Sequence, residues 1–91
     1  MAFINREAGS MSFSTSNTEA GRFDASGNLL VGKTSPDTVT VAGHELHEDG
    51  LTIFTTLSGK VLLLNRQSDQ GTIQQFRQAN ATVVYISLYG Y

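Results

Sequence analysis

Apolar and polar positions alternate with a period of two in several short stretches of the chain. Met11, Phe13 and Thr15 stand against Ser12 and Ser14. Leu51, Ile53, Thr55 and Leu57 stand against Thr52, Phe54 and Thr56, and Thr82, Val84, Ile86 and Leu88 against Val83, Tyr85 and Ser87. Successive side chains of a strand point to opposite faces, so each stretch predicts a short, half-buried strand. Val61-Leu62-Leu63-Leu64 does not alternate. It predicts a strand covered on both faces. Thr38-Val39-Thr40-Val41 is short and β-branched and predicts another strand, closed by Gly43. Only Ile73, Phe76 and Arg77 fall at helical spacing, and Gly71 interrupts that pattern. Residues 68–79 are open to a strand or a short helix.

Turn signals separate these runs. Asp24-Ala25-Ser26-Gly27-Asn28 reads as a hairpin or tight corner, because Asp24 and Ser26 can bond nearby backbone and Gly27 can take positive φ. Ser35-Pro36-Asp37, Asp49-Gly50, Ser58-Gly59 and Asn80 mark further turns. His44 to Gly50 is the most charged segment and reads as a solvated loop. Gly59–Leu88 holds the densest apolar run and the cleanest alternation, separated by a glutamine-rich segment anchored only by Ile73 and Phe76. It reads as extended chain that needs a partner to bury its apolar side. The coarse expectation is all-β.

Composition narrows the chemistry. At 91 residues there is room for one small domain. There is no cysteine, which removes disulfides, thiolate metal sites and cysteine nucleophiles. Six basic and eight acidic side chains give no clustered cationic footprint, so nucleic acid is not an expected partner. No apolar run approaches the ~18 residues of a membrane-spanning helix, and no membrane insertion is expected.

Four constellations invite chemistry. Gly27 to Thr34 matches the phosphate-loop pattern GxxxxGK[ST]. That loop needs a helix beginning at its lysine, whereas here Ser35-Pro36-Asp37 and a β-branched run follow. His44-Glu45-Leu46-His47-Glu48 spaces its histidines three apart rather than the four of a zinc-protease helix. Three copies of His44, or of His47, about a threefold axis are a candidate ion site; a solvated loop is the simpler reading. Asp24, Asp37, Glu45, Glu48, Asp49 and Asp69 could supply a carboxylate pair for glycan hydrolysis, but most sit at turns, where aspartate has a structural task. Tyr85, Tyr89 and Tyr91 are candidate receptor contacts, since aromatic faces stack on sugar rings. No catalytic residue and no cofactor is expected.

Two segments carry a family resemblance. Arg22-Phe23-Asp24-Ala25-Ser26-Gly27-Asn28-Leu29-Leu30-Val31-Gly32-Lys33-Thr34 is one, and Leu63-Leu64-Asn65-Arg66-Gln67-Ser68-Asp69-Gln70-Gly71-Thr72-Ile73 followed by Phe76-Arg77 is the other. In this order they resemble tail fibres and tailspikes of tailed bacteriophages, in the stalk region ahead of a self-cleaving C-terminal intramolecular chaperone. The resemblance covers roughly Met11 to Leu88, and its second segment is the more specific. No residues match the chaperone itself. In that family a glycine-containing turn follows Phe-Arg; here Gln78-Ala79-Asn80-Ala81-Thr82 stands in its place, with asparagine tolerant of positive φ.

The resemblance implies an elongated, intertwined homotrimer with a triple-stranded β-helix and a small β-rich N-terminal part. The implied organisation is a leader over 1–10 that is flexible or added for expression, a short-strand region or knob over 11–50, and an intertwined stalk over 51–91. The partners are two identical copies, with Val61, Leu63, Ile73, Phe76, Val84, Ile86 and Leu88 expected in the trimer core. The implied function is structural, not enzymatic: trimerisation and host-cell attachment within the tail fibre or tailspike of a virion. Two other classes compete. One is a receptor-binding tip that holds a bacterial surface glycan or protein directly, and the other is a polysaccharide-degrading or metal-binding module.

Overall fold

The computed structural model describes residues 1–36 and 40–82. The chain is all-β, and no helix occurs among the described residues. Five antiparallel strands form one sheet in sequence order: β1 (Met11–Thr15), β2 (Thr18–Phe23), β3 (Leu29–Val31), β4 (Gly43–Leu46) and β5 (Thr52–Thr55). A separate two-stranded sheet pairs β6 (Arg77–Gln78) with β7 (Ala81–Thr82). The sheet that begins at Met11 therefore runs through Thr55.

Two kinds of turn set the register. Between β1 and β2, Ser16 and Asn17 both have positive φ (50° and 62°) and join the facing pair Thr15 and Thr18. This two-residue connection matches the right-handed twist of the strands it joins. Ala79 and Asn80 (51° and 65°) do the same between β6 and β7, so Asn80 supplies the turn the sequence assigns to it. The other kind occurs twice. In the β2–β3 loop the Asp24 amide donates to the Asn28 carbonyl (2.9 Å) and the Gly27 amide to the Asp24 carbonyl (3.0 Å). In the β4–β5 loop the His47 amide donates to the Leu51 carbonyl (2.8 Å) and the Gly50 amide to the His47 carbonyl (3.0 Å). Both are a β-turn followed by a glycine in left-handed conformation, at φ 92° for Gly27 and 99° for Gly50.

The register divides the sheet into two unlike faces. Arg22, Leu30, Glu45 and Ile53 are cross-strand neighbours on one face. Leu30 and Glu45 there are completely buried. The opposite face carries Phe23, Leu29 and Leu46 in one row and Val31, His44 and Phe54 in the next, with Met11 and Phe13 from β1 continuing them. The core thus sits against the face that bears the charges, and the more apolar face is largely open.

Residues 18–23, which show no clean alternation, form β2, because hairpin turns on either side hold them between β1 and β3. Three expectations are corrected. His44 to Leu46 is a strand rather than a solvated loop, and Gly43 opens it instead of closing an earlier one. Of the strand expected over residues 38–41, Thr40 and Val41 lie in a bend, and 38–39 lie outside the described residues. Val61–Leu64 forms no strand and is exposed, and neither the five-stranded sheet nor the β6–β7 pair takes it in as a further strand. Residues 68–76 are irregular, and the chain becomes extended only at Arg77.

Candidate functional site

The most deeply buried polar cluster among the described residues is built by β4 and the loop before it. β4 turns Glu45 inward at full burial. The Lys33 ammonium donates to Glu45 Oε2 in a buried ion pair, and also to the Val41 carbonyl at 3.3 Å. His47 Nε2 lies 2.7 Å from Glu45 Oε1. A buried carboxylate is tolerable only with such partners, because burying an unpaired charge is costly. Gly43 makes the geometry accessible. Its φ is 141°, and a Cβ placed there would lie 2.7 Å from the Val31 carbonyl oxygen and 3.0 Å from Lys33 Cδ. The lysine stem therefore crosses the strand where no side chain stands.

This placement bears on several of the candidates. Lys33, which a phosphate loop would aim at a ligand, is turned into the protein. β3 and a bend follow Gly27 where a helix would be required. His44 and His47 diverge: His47 meets Glu45, while the His44 ring lies edge-on to Phe54 with centroids 4.9 Å apart and planes at 73°. Among the described residues no three of His, Asp and Glu converge to hold a metal ion.

The acidic side chains are mostly committed to local structure. Asp24 Oδ1 accepts from the amides of Ser26 (3.0 Å) and Asn28 (2.9 Å), and Oδ2 from Asn28 Nδ2 (3.0 Å). These bonds, led by the one from the Asn28 backbone, hold its carboxyl below the usual range. Asn28 Oδ1 in turn accepts from the Glu48 amide at 2.9 Å, which ties the two glycine turns together. Asp49 accepts from the Leu51 amide at 3.1 Å. Glu19 receives both Nε and Nη2 of Arg22 at 2.6 Å, and that bond lowers its carboxyl and raises the guanidinium. Asp69 pairs with Arg66 at 2.9 Å, and Asp37 lies outside the described residues. Among the described residues every buried side-chain nitrogen and oxygen has a partner.

The expected trimer core lies open in the single chain. Val61, Leu63 and Ile73 are exposed, Leu63 at 68%, and Phe76 is half-buried. Leu57 (85%), Leu62 and Leu64 extend the exposed run. Val84, Ile86, Leu88, Tyr85, Tyr89 and Tyr91 lie outside the described residues. Between the two halves of this run Arg66 acts as a clasp, with Nε on Asp69 and Nη1 on the Thr72 carbonyl at 3.4 Å. A Cβ at Gly71 would overlap the Arg66 guanidinium, so glycine there lets the arginine lie across the loop. An open cleft of about 520 Å³ is lined by Phe3, Met11, Phe13 and Phe23, with Glu7 and the already committed Asp24 at its margin.

Sequence reasoning missed the Lys33–Glu45 pair. Glu45 alternates with His44 and Leu46, and the available signal was a lysine after Gly32 that could reach it. Comparison of the chain with protein families, with curated proteins and with solved structures found no match in any of the three.

Proposed function

We propose that the chain is a structural segment of a phage tail fibre or tailspike, which forms a homotrimer and serves attachment of the virion to its host cell. In this reading three copies wind the stretch that follows β5, from Leu57 onward, about a common axis as a triple-stranded β-helix. Val61, Leu63, Ile73 and Phe76 turn inward, followed by Val84, Ile86 and Leu88. The observation that carries the reading is the uncovered apolar run of Leu57, Val61 to Leu64 and Ile73, which has no strand partner among the described residues. Winding three chains together covers such a run and satisfies its backbone at once. Covering these six side chains contributes on the order of 10 kcal/mol per chain. The Leu-Asn-Arg and Phe-Arg segments of the resemblance fall within this same stretch, and the Arg66 clasp and the Ala79-Asn80 turn are compatible with it.

Leu63→Asp tests it. The substitution places three carboxylates in the shared apolar core, where each is costly to bury. Sedimentation should find the native chain assembled and the variant dissociated at micromolar concentration. Equal sedimentation of the two as assembled species would remove Leu63 from the core.

A further inference from the structure

We propose that the apolar face of the five-stranded sheet is a second self-association surface, on which further copies of this chain pack the same face. The inference rests on the homotrimer proposed above and extends it from the stalk to the N-terminal sheet. Phe13, Phe23, Val31, Leu46 and Phe54 share this face and are each between 38% and 54% exposed, with Met11 and Leu29 half-buried beside them. The charged side chains of the sheet lie elsewhere: Arg22 and Glu45 point to the opposite face, Glu19 follows Arg22, and Lys33 follows Glu45.

Area and charge select the occupant. Half-exposed aromatic and aliphatic side chains in this number leave about 500 Å² of apolar surface per chain, taking ~200 Å² for a whole aromatic ring. That is at the upper end for a patch on a monomer, ~300–600 Å². It falls short of the ~800 Å² per partner with which a stable pair is usually held. A face of this size suits a partner already tethered nearby, where effective concentration replaces area. Copies joined through their own stalk are such partners. His44 lies within the face, and Glu7 and Asp24 stand at the margin of its Met11–Phe13–Phe23 corner; a copy of itself meets the uncharged middle of the face with its own and brings no unpaired charge to bury there. The N-terminal leader reaches only the corner where Phe3 lines the cleft with Met11, Phe13 and Phe23; Val31, Leu46 and Phe54 lie beyond it.

The chain has no cysteine, so a single introduced thiol is a unique reporter. Val31→Cys places it on the apolar face and Ser12→Cys on the opposite one. Each full-length variant is alkylated under native conditions and its mass measured by light scattering. The expected result is a trimer in which the thiol at position 31 reacts roughly tenfold more slowly than that at position 12, the difference vanishing in urea. A trimer with equal rates would overturn this inference and leave the stalk reading standing. A monomer with equal rates would remove the stalk reading and this inference with it. A monomer with a slow thiol at position 31 would show the face covered within one chain, which also overturns it. If Val31→Cys fails to fold, Leu46→Cys on the same face reports the same outcomes.

Discussion

At the scale of single residues, the N-terminal sheet depends on one buried charge pair and on the glycine that admits it. Removing the cation from Lys33–Glu45 leaves a carboxylate at full burial, and the loss should far exceed that of a surface ion pair. Lys33→Met is expected to cost about 3 kcal/mol in urea unfolding. Adding Glu45→Leu should recover a large part of that loss, since the penalty arises from a buried carboxylate that has lost its cation and keeps His47 beside it; a double variant no better than the single one would contradict this. Gly43→Ala is expected to cost about 2 kcal/mol or more, because φ of 141° is strained for alanine and the new Cβ meets the Val31 carbonyl. A melting temperature unchanged by Gly43→Ala would mean that the strand relaxes there. Neither residue was legible as structural beforehand. The lysine stood within a phosphate-loop pattern and the glutamate within a charged run, and only the fold brings them together across twelve positions of sequence.

At the scale of elements, the turns were the most legible features and the strands between them less so. Asp24-Ala25-Ser26-Gly27-Asn28, Asp49-Gly50 and Asn80 state their conformations through residue chemistry, because few residues tolerate positive φ and few side chains bond their own loop. β5 was legible too: Ile53 and Thr55 are half-buried, while Thr52 and Phe54 are exposed, as the alternation requires. β2 was not, since Thr18 to Phe23 draws its strand character from its neighbours.

The repeated glycine turn also gives the β2–β3 hairpin a pH dependence. The Asp24 carboxyl is held low by the Asn28 backbone amide and then by the Asn28 side chain. Its contribution is therefore fully present above the pH at which an unfolded aspartate ionises, and it is lost as pH falls through the lowered folded value. Glu19 acts in the same direction from the surface, where solvent weakens the effect. Thermal melts in an acid series should show the native chain losing stability below about pH 4. Asp24→Asn should start less stable at neutral pH and decline less steeply. Parallel curves would place the acid sensitivity elsewhere.

At the scale of the whole molecule, the chain divides into a paired five-stranded sheet and a following stretch, residues 57–76, that forms no strand among the described residues. All-β character was legible from alternation and turns, and the described residues bear it out. What alternation could not supply was the partner of Val61 to Leu64. A run apolar on both faces states that two neighbours are needed but not which ones, and no described strand of the same chain provides them. The proposed trimer answers that need with copies of the same chain. It leads to a second expectation at this scale: Ile86→Asp should prevent assembly as Leu63→Asp does, because the proposal assigns both to one continuous core. Assembly that tolerates a charge at position 86 but not at position 63 would end that core before residue 86.

The central claim is that this chain folds stably only as three copies. Light scattering after gel filtration, repeated over a range of concentrations around one micromolar, measures this most directly. The account predicts a single species of three chain masses that persists on dilution, because interlocked chains separate slowly. A folded species of one chain mass at micromolar concentration would contradict it.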